Sequence, residues 1–304
     1  MLTGCSKFGP TDKTKGELTT QVNTHTGNTG LKIDFVTGQP STYVWEKSQF
    51  PITVKLQNMG AYDIVNGFLT ITGNLYFGLT PYIPFNLAGK SQFNPEGEFS
   101  FQQFSATAAE VDEDKTDTFF VIACYPYKTY ASAPICINLR NEDVENIPKE
   151  ECKVGSISLS SGQGAPVAIT SIDEQIIPLN NDISTLTLKI HVANKGGGKV
   201  VAYNAYAKDC EGNALSEGEL GKITVKDMRF SNYILGGETP ITCQNLKDNS
   251  FNLDETGQFI IDCSVKLDKV SAGSVAFTTP LTIELNYGYS QISQSKTITI
   301  RNAP

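Results

Sequence analysis

One short pattern occurs twice in the chain and restricts its fold more than any other feature. Residues 52–60, Ile-Thr-Val-Lys-Leu-Gln-Asn-Met-Gly, alternate apolar and polar side chains and end in Asn-x-Gly. Residues 188–196, Leu-Lys-Ile-His-Val-Ala-Asn-Lys-Gly, repeat this pattern 136 residues later (194 − 58). Alternation with a period of two is typical of a half-buried strand, and Asn-x-Gly predicts a turn that tolerates positive φ. The chain therefore contains two copies of one strand-and-turn unit.

A second pattern repeats in the same order. Tyr125-Pro126-Tyr127 and Tyr287-Gly288-Tyr289 lie 162 residues apart (287 − 125), each after an apolar strand and before a polar stretch and a closing strand. The second copy thus holds about 26 more residues between the two patterns than the first (162 − 136). Two repeated patterns in one order indicate that a single β unit was duplicated.

The remaining strand signals predict the fold class. Many short strands with turn signals between them, and no segment with a convincing helical period, predict an all-β chain of two tandem antiparallel Ig-like β-sandwiches with an extended N-terminal segment. We divide the chain into a flexible tether (1–30), a first sandwich (31–140), a Ser/Gly-rich linker (141–165) and a second sandwich (166–304). Within the first sandwich, residues 118–124 are predicted as its central buried strand, and residues 133–139 as the strand that returns beside it in a hairpin.

Composition excludes several partners. Charged residues make up 18% of the chain, the net charge is −8, and no Lys/Arg cluster occurs on any predicted face. Nucleic acid and anionic membranes are therefore poor partners. No apolar run approaches the roughly 18 residues that a membrane-spanning helix needs, so we expect membrane contact only through a lipid anchor.

The cysteines indicate the compartment. No C-x-x-C pair and only two histidines, His25 and His191, are present, so zinc binding is not expected. An even number of cysteines in strand-like segments predicts three disulfides and an extracytoplasmic location; free core thiols in a cytosolic protein are the alternative. Among fifteen pairings we predict Cys124–Cys136 across the hairpin, Cys243–Cys263, and by elimination Cys152–Cys210.

The N-terminus supports export. Leu2-Thr3-Gly4-Cys5 resembles a bacterial-type lipobox, in which the cysteine is lipidated and becomes the mature N-terminus. The polar, Gly/Thr-rich segment that follows is typical of a tether. Only Met1 precedes the motif, so an accidental match is the alternative reading.

These residues resemble a known family. The Asn-x-Gly corner and the Tyr-x-Tyr entry to a final hairpin resemble Ig-like adhesion-type modules of the CARDB class, found in surface proteins of archaea and bacteria. Residues 30–35, 58–63, 124–127 and 162–167 look more specifically like predicted lipoproteins of small-genome archaea. The resemblance covers most of the chain from about residue 30 onward. It implies a cell-surface location and Ig-like sandwiches, and it supplies no activity and no catalytic residues.

One acidic segment offers the only cofactor site. Residues 110–117 contain several carboxylates on a predicted loop, and calcium prefers six to eight oxygen ligands on such a loop. The candidate ligands are Asp112, Glu113, Asp114 and Asp117. The spacing is not that of an EF-hand, and a solvated acidic turn is the favoured alternative.

Aromatic residues offer two candidate contact sites. The Tyr-x-Tyr pairs could stack on sugars, but we favour the tyrosine-corner role, in which the hydroxyl fixes a sandwich corner. An irregular segment rich in Pro and Gly carries four aromatics that are predicted either to form a contact surface or to cap the core: Tyr76, Phe77, Tyr82 and Phe85.

No catalytic motif is recognisable. His25 lies in the tether and His191 in a strand, where an outward position is expected, and no nucleophile elbow, zinc motif or phosphate loop occurs. We therefore predict a non-enzymatic cell-surface binding or adhesion protein, lipid-anchored through Cys5. Its expected partners are other surface proteins, copies of itself, or glycans. The alternative is a structural subunit of an extracellular filament or surface layer, in which residues 15–36 donate a strand to a neighbour.

Overall fold

The computed structural model describes residues 24–73, 76–79, 82–139, 152–180, 182–268 and 276–303, and this part of the chain is almost entirely β. Strands of the first half are β1 (Leu31–Phe35), β2 (Tyr43–Trp45), β3 (Gln49–Asn58), β4 (Ile64–Gly73), β5 (Phe77–Leu79), β6 (Ile83–Leu87), β7 (Phe99–Ala108) and β8 (Lys115–Ile137). The second half contains β9 (Ser156–Ser158), β10 (Val167–Pro178), β11 (Ile183–Asn194), β12 (Lys199–Val201), α1 (Tyr206–Cys210), β13 (Lys222–Phe230), β14 (Tyr233–Leu235), β15 (Pro240–Cys243), β16 (Ser250–Asn252), β17 (Gln258–Asp268), β18 (Phe277–Ile292) and β19 (Lys296–Arg301).

The strands form two sheets. The small sheet has the order β1-β3-β7-β5. The large sheet has fifteen strands, with the main order β2-β19-β8-β18-β13-β14-β15-β17-β11-β10-β9, and with β4, β6, β12 and β16 paired beside this path. The all-β prediction is confirmed, and the large sheet extends through both halves of the chain.

β8 differs from the predicted hairpin. The segments predicted as two paired strands, 118–124 and 133–139, belong to one 23-residue strand apart from its last two positions. Pro126 and Pro134, which resemble turn residues, lie within it. The backbone N–H groups of Tyr130 and Cys136 donate to side chains outside the β18 ladder, so even-numbered positions of β8 direct their N–H groups away from β18. Proline is tolerated at such positions because no ladder bond is lost.

The two halves are joined by a long strand pair. β18 pairs with β8 antiparallel along its whole length, from Phe277 opposite Ile137 to Ile292 opposite Ile122. β19 continues along the same strand, with Lys296 opposite Phe119. The two segments predicted as separate domains therefore share one continuous sheet.

This pair also relates the two repeats. Pro126 lies opposite Gly288, and these residues are 162 positions apart (288 − 126), which is the offset of the Tyr-x-Tyr repeat. In an antiparallel pair, two equivalent residues face each other only where a local two-fold axis passes between them. The duplicated units are thus related by an approximate two-fold axis at the centre of the β8–β18 pair.

Most of the extra residues of the second half lie beside this pair. Phe68 of β4 pairs with Cys124, and Thr224 of β13 pairs with the equivalent position, Asn286. The offset from Phe68 to Thr224 is 156 residues, 20 more than the 136 of the first repeat. This insertion contains α1, which packs on the first half: the ring of Tyr206 stacks on Phe68, with centroids 6.2 Å apart.

The core of the first half lies between the small sheet and β8. Phe35 of β1 and Phe77 of β5 contact Phe119 of β8 edge to face, with centroids 5.7 and 5.4 Å apart. In the second half Cys263 of β17 contacts Met228 of β13. All of these side chains except Phe35 are buried. Burial of such apolar surface is the main stabilising contribution to the fold.

Candidate functional site

The repeated tyrosines lie together at the two-fold axis. Tyr125 is opposite Tyr289, and Tyr127 is opposite Tyr287, in the β8–β18 ladder. Ring centroids are 5.9 Å apart in the first pair and 6.4 Å in the second, and all four rings are buried. Rings at this spacing without parallel stacking have the geometry that aromatic pairs prefer. Because the rings are buried, they are not a platform for sugars.

The first tyrosine of each pair holds the first strand of its own half. The Tyr125 hydroxyl accepts the N–H of Leu31 at 3.2 Å, and the Tyr287 hydroxyl accepts the N–H of Val167 at 3.4 Å. Leu31 and Val167 are 136 residues apart (167 − 31), which is the offset of the first repeat. The predicted tyrosine-corner role is therefore present twice, at equivalent positions.

The Asn-x-Gly corners also recur as contacts. Asn58 Oδ1 accepts the N–H of Gly60 at 3.1 Å, and Asn194 Oδ1 accepts the N–H of Gly196 at 3.3 Å. The expected positive φ is wrong, since neither glycine has one. Glycine is needed for a different reason: a Cβ on Gly60 would overlap the Tyr127 hydroxyl, and one on Gly196 would overlap the equivalent tyrosine hydroxyl. Close approach of a side chain selects glycine at both corners.

The second tyrosine of each pair closes the corner. The Tyr127 hydroxyl accepts the N–H of Tyr62 at 3.3 Å, and the Tyr289 hydroxyl accepts the N–H of Gly198 at 2.6 Å. Burial raises the pKa of Tyr127, and it raises the pKa of Tyr289 to about 12. Both hydroxyls therefore stay protonated at physiological pH, and their role is structural.

The disulfides correct two of the three predicted pairings. Cys243–Cys263 is formed as predicted, between directly opposed residues of β15 and β17. Cys124 pairs with Cys210, and Cys136 pairs with Cys152. The predicted Cys124–Cys136 bond is wrong because both residues lie in β8, 12 positions apart (136 − 124), which is about 40 Å along an extended strand. Cys152–Cys210 fails with it.

These bonds bear on both compartment and architecture. Three disulfides are typical of proteins in an oxidising, extracytoplasmic environment. The Cys124–Cys210 bond also fixes the α1 insertion of the second half to β8 of the first. Cys5, the predicted lipidation site, lies outside the described residues. No helix in the described part of the chain has the length and apolar character to cross a bilayer.

The predicted calcium ligands do not converge. Asp117 is buried on β8, and its Oδ2 accepts the N–H of Tyr76 at 2.7 Å. Asp112 and Glu113 pair with Lys115, and Asp114 Oδ1 accepts the N–H of Asn302. Within the described residues no group of three or more acidic, histidine or cysteine side chains has a geometry suited to a metal ion. The acidic turn pairs with its own neighbours instead.

The predicted contact surface separates into two parts. Phe77 is 6% exposed and Phe85 is 3% exposed, and both belong to the core. Tyr76 and Tyr82 are 38% and 40% exposed. The four side chains therefore do not form one surface, because those on β5 and β6 point inward while the tyrosines next to the strands point outward.

His191 meets a carboxylate on an open sheet face. Its Nε2 lies 2.9 Å from Oδ2 of Asp173, and Asp173 also accepts a hydrogen bond from Ser156. These bonds, first from Ser156 and then from His191, lower the pKa of Asp173. The carboxylate stands between the serine and the histidine, whereas a serine hydrolase places the histidine between serine and carboxylate. The arrangement lacks a base in contact with the hydroxyl.

One groove lies beside an unpaired edge of β8. Its volume is about 350 Å³, with Tyr130, Ala131 and Ser132 on one side and residues 159 and 161–163 on the other; His25 also lines it. No described strand pairs with residues 125–137 of β8 on the side away from β18. This is the geometry at which an added strand could pair.

Side chains protect most of that edge. The Tyr62 hydroxyl accepts the N–H of Tyr130 at 3.0 Å, and the carboxylate of buried Glu174 accepts the N–H of Cys136 at 3.2 Å. Pro134 has no N–H. Ser132 thus supplies the one backbone N–H between Tyr130 and Cys136 that faces the groove without a cap. The edge resembles one that is blocked against strand addition more than one that is open to it.

The outer face of the small sheet carries exposed aromatics that the sequence analysis missed. Phe99 and Phe101 on β7 are 54% and 59% exposed, with ring centroids 6.0 Å apart. The Lys55 ammonium on β3 lies 4.6 Å from the Phe99 centroid. We call these three residues the aromatic face. Phe93, in a loop at the same end of the sheet, is 99% exposed.

The duplicated half shows that the fold does not require these aromatics. Asn58 accepts no such ring, but its N–H bonds to Glu98 O, and the N–H of Asn194 bonds to Gly257 O, which gives an offset of 159 (257 − 98) between β7 and β17. The residues equivalent to Phe99 and Phe101 are then Gln258 and Ile260. The same strand position is occupied by a polar residue in the second half, so Phe99 is not needed for the strand to form.

Comparison with known proteins adds little. No protein-family model matches the chain, and none of the curated proteins compared with it is significantly similar. Among solved structures, the secreted serine protease VesC from Vibrio cholerae aligns with 10% identity and a TM-score of 0.21, over 90% of this chain and 52% of the protease. The chain spans about half the length of that structure. A likeness at this TM-score supports no statement about fold or activity.

Proposed function

We propose that this chain is a non-enzymatic, extracytoplasmic binding protein that acts at the cell surface. Its two Ig-like sandwiches are fused through the β8–β18 pair, and its contact surface is the aromatic face. The observation that carries the proposal is the presence of two neighbouring, half-exposed phenylalanines on a regular strand, with 54% and 59% of their surface in contact with solvent. Exposed apolar clusters on a rigid scaffold commonly mark interaction sites.

The chemistry of the face favours a protein partner over a glycan. Phe99 and Phe101 have an interplanar angle of 82°, so they do not form the flat stacking row that a sugar chain needs. Tyr43 and Trp45, on edge strand β2, are also edge to face, at 84°. Phenylalanine offers no hydrogen-bonding group to hydroxyls, whereas aromatic side chains are enriched at protein interfaces.

Rigid crosslinks suit a protein that works outside the cell. The three disulfides fix β8 to α1, β8 to residue 152, and β15 to β17. Retention at the surface would come from lipid on Cys5. A lipidated cysteine that carries several acyl chains is a stable anchor, whereas a single chain is not.

The test is binding of the fluorescently labelled protein to intact cells of the organism that encodes it. Phe99→Thr with Phe101→Thr keeps strand-forming residues and removes the aromatic surface. Ile260→Thr, at the position equivalent to Phe101, is the matched control. We expect the double variant to lose cell binding and Ile260→Thr to retain it. Equal binding by the double variant and the unaltered protein would contradict the assigned surface.

The second candidate function is a filament or surface-layer subunit that assembles by strand donation. Residues 31–35 of the predicted donor segment pair with β3 of the same chain, with Leu31 opposite Asn58. Gly27 exchanges backbone hydrogen bonds with Ser161 and Gly164. A donated strand would therefore have to come from residues 15–23. Truncation of residues 1–23 would abolish polymers in this case and would leave cell binding through the aromatic face intact.

A further inference from the structure

We infer that a second copy of this chain covers the aromatic face, so that two small sheets pack face to face about a two-fold axis. This inference rests on the proposed function, since it names the partner of the same surface. Its evidence lies in three features of the outer face of the small sheet: the cross-strand rows, the local charge, and the contrast with the equivalent face of the second half.

The rows place apolar and charged groups side by side. One row across β1, β3 and β7 is Lys32, Gln57 and Phe99. The neighbouring row is Asp34, Lys55 and Phe101. The aromatic rings therefore lie along one strand, and the charged residues lie one and two strands away. A face that is apolar on one side and polar on the other can oppose its own copy, with the apolar strands at the axis and the polar strands at the rim.

The local charge permits close approach of two copies. The outward charged side chains of β1, β3 and β7 are Lys32, Lys55 and Asp34, which sum to +1 (2 − 1). The whole chain carries −8, so two copies repel each other over most of their surface. Lys32 and Asp34 also form an ion pair at 2.8 Å, with both side chains about half exposed. Rotation about a two-fold axis can place the lysine of one copy beside the aspartate of the other.

The second half lacks these features at equivalent positions. Outward residues of β17 include Asp262, Lys266 and Asp268, and β11 adds Lys189. Charged residues are depleted at interface cores because their desolvation is costly. Two sheets that pack face to face need apolar side chains between them at a spacing of about 10 Å. The small sheet supplies such side chains on its outer face, and the equivalent sheet supplies a single isoleucine, Ile260.

The first experiment is sedimentation velocity of the full chain, with its disulfides intact, over a wide range of concentration. We expect a reversible equilibrium between one chain and two. The Phe99→Thr/Phe101→Thr variant should dissociate at least about 30-fold more readily, because truncation of a central interface aromatic typically has an effect of this size. Ile260→Thr should match the unaltered protein. Since all three residues are exposed, circular dichroism should show an unchanged fold for each variant.

The second experiment locates the interface. A spin label on Gln103→Cys lies on β7 next to the aromatic face, and a label on Asp262→Cys lies at the equivalent position of β17 (103 + 159). We expect a short distance between labels in the dimer for the first position and a much longer one for the second. A short distance for Asp262→Cys alone would overturn the inference by assigning the contact to the other half.

The outcomes separate this inference from the proposed function. A chain that stays monomeric at every concentration overturns the second copy as partner, and loss of cell binding in the double variant would then leave the binding function standing with a different protein on the face. A dimer that persists in the double variant overturns the inference as well. Loss of neither self-association nor cell binding in that variant contradicts both.

Discussion

Tyr125 lies directly opposite Tyr289 in the ladder between β8 and β18, and their ring centroids are 5.9 Å apart. The two residues come from different copies of the repeat and hold different elements: the first binds the N–H of Leu31, and the second binds the N–H of Gly198. The tyrosine pairs thus join the copies to each other through their rings and fix each copy internally through their hydroxyls. Loss of a hydroxyl and loss of a ring should therefore have different effects.

The hydroxyls should contribute to stability without affecting the sheet pair. We predict that Tyr289→Phe lowers the free energy of unfolding by about 1–3 kcal/mol, because the buried N–H of Gly198 loses its acceptor while the ring stays in place. Urea unfolding under non-reducing conditions measures this. Tyr203→Phe is the matched control, since Tyr203 is 49% exposed. Equal stability of the two variants would show that the Tyr289 hydroxyl has no structural role.

Gly60 should be intolerant of a side chain because of close approach alone. We predict that Gly60→Ala costs more than about 2 kcal/mol, since its Cβ would overlap the Tyr127 hydroxyl. Gly197→Ala should cost only about 1 kcal/mol, from the strain of a φ of 74° with no neighbour nearby. Adding Tyr127→Phe to Gly60→Ala should recover part of the loss. Strict additivity of these two changes in unfolding free energy would contradict the contact.

The crosslink between the halves should be both detectable and strongly stabilising. Mass spectrometry of an unreduced digest should find Cys124 linked to Cys210 and Cys136 linked to Cys152. By the chain-entropy estimate, removal of the first bond, which spans 86 residues, should cost about 4–5 kcal/mol. Removal of Cys243–Cys263, which spans 20 residues, should cost about 3 kcal/mol. A peptide that links Cys124 to Cys136 would refute the single-strand description of β8.

The sequence predicted the local contacts of this fold better than its assembly. The Asn-x-Gly and Tyr-x-Tyr patterns mark the corners, and both repeats appear as equivalent hydrogen bonds. The pairing of β8 with β18 involves residues more than 150 positions apart in the chain, so no local signal specifies it. Pro126 and Pro134 were interpreted as turn residues, although proline also fits an unpaired strand edge. The two wrong disulfides follow from that one misinterpretation.

The aromatic face was missed because β7 changes its buried parity. Phe99 and Phe101 occupy odd positions and face solvent, whereas Phe104, Ala106 and Ala108 occupy even positions and are buried. A period-two pattern that changes phase within one strand indicates that the two apolar sets lie on opposite faces. This signal was present in the sequence, and it distinguishes a contact surface from core more directly than the density of aromatics in residues 76–85.

Glu174 should make stability depend on pH. It is 7% exposed, and burial raises its pKa from 4.5 to about 7, although the N–H groups of Cys136 and Gly155 oppose the shift. A carboxyl whose pKa is higher in the folded state binds its proton more tightly there, so its contribution is complete below about pH 4.5 and is lost as the pH rises to about 7. The loss should reach about 3 kcal/mol. Urea midpoints from pH 4 to 8 should fall for the unaltered protein relative to Glu174→Gln, which stays neutral and still offers an acceptor to Cys136. Exposed Glu255→Gln, as the control, should follow the unaltered protein, and a constant difference between Glu174→Gln and the unaltered protein at all pH values would show that Glu174 titrates alike in both states.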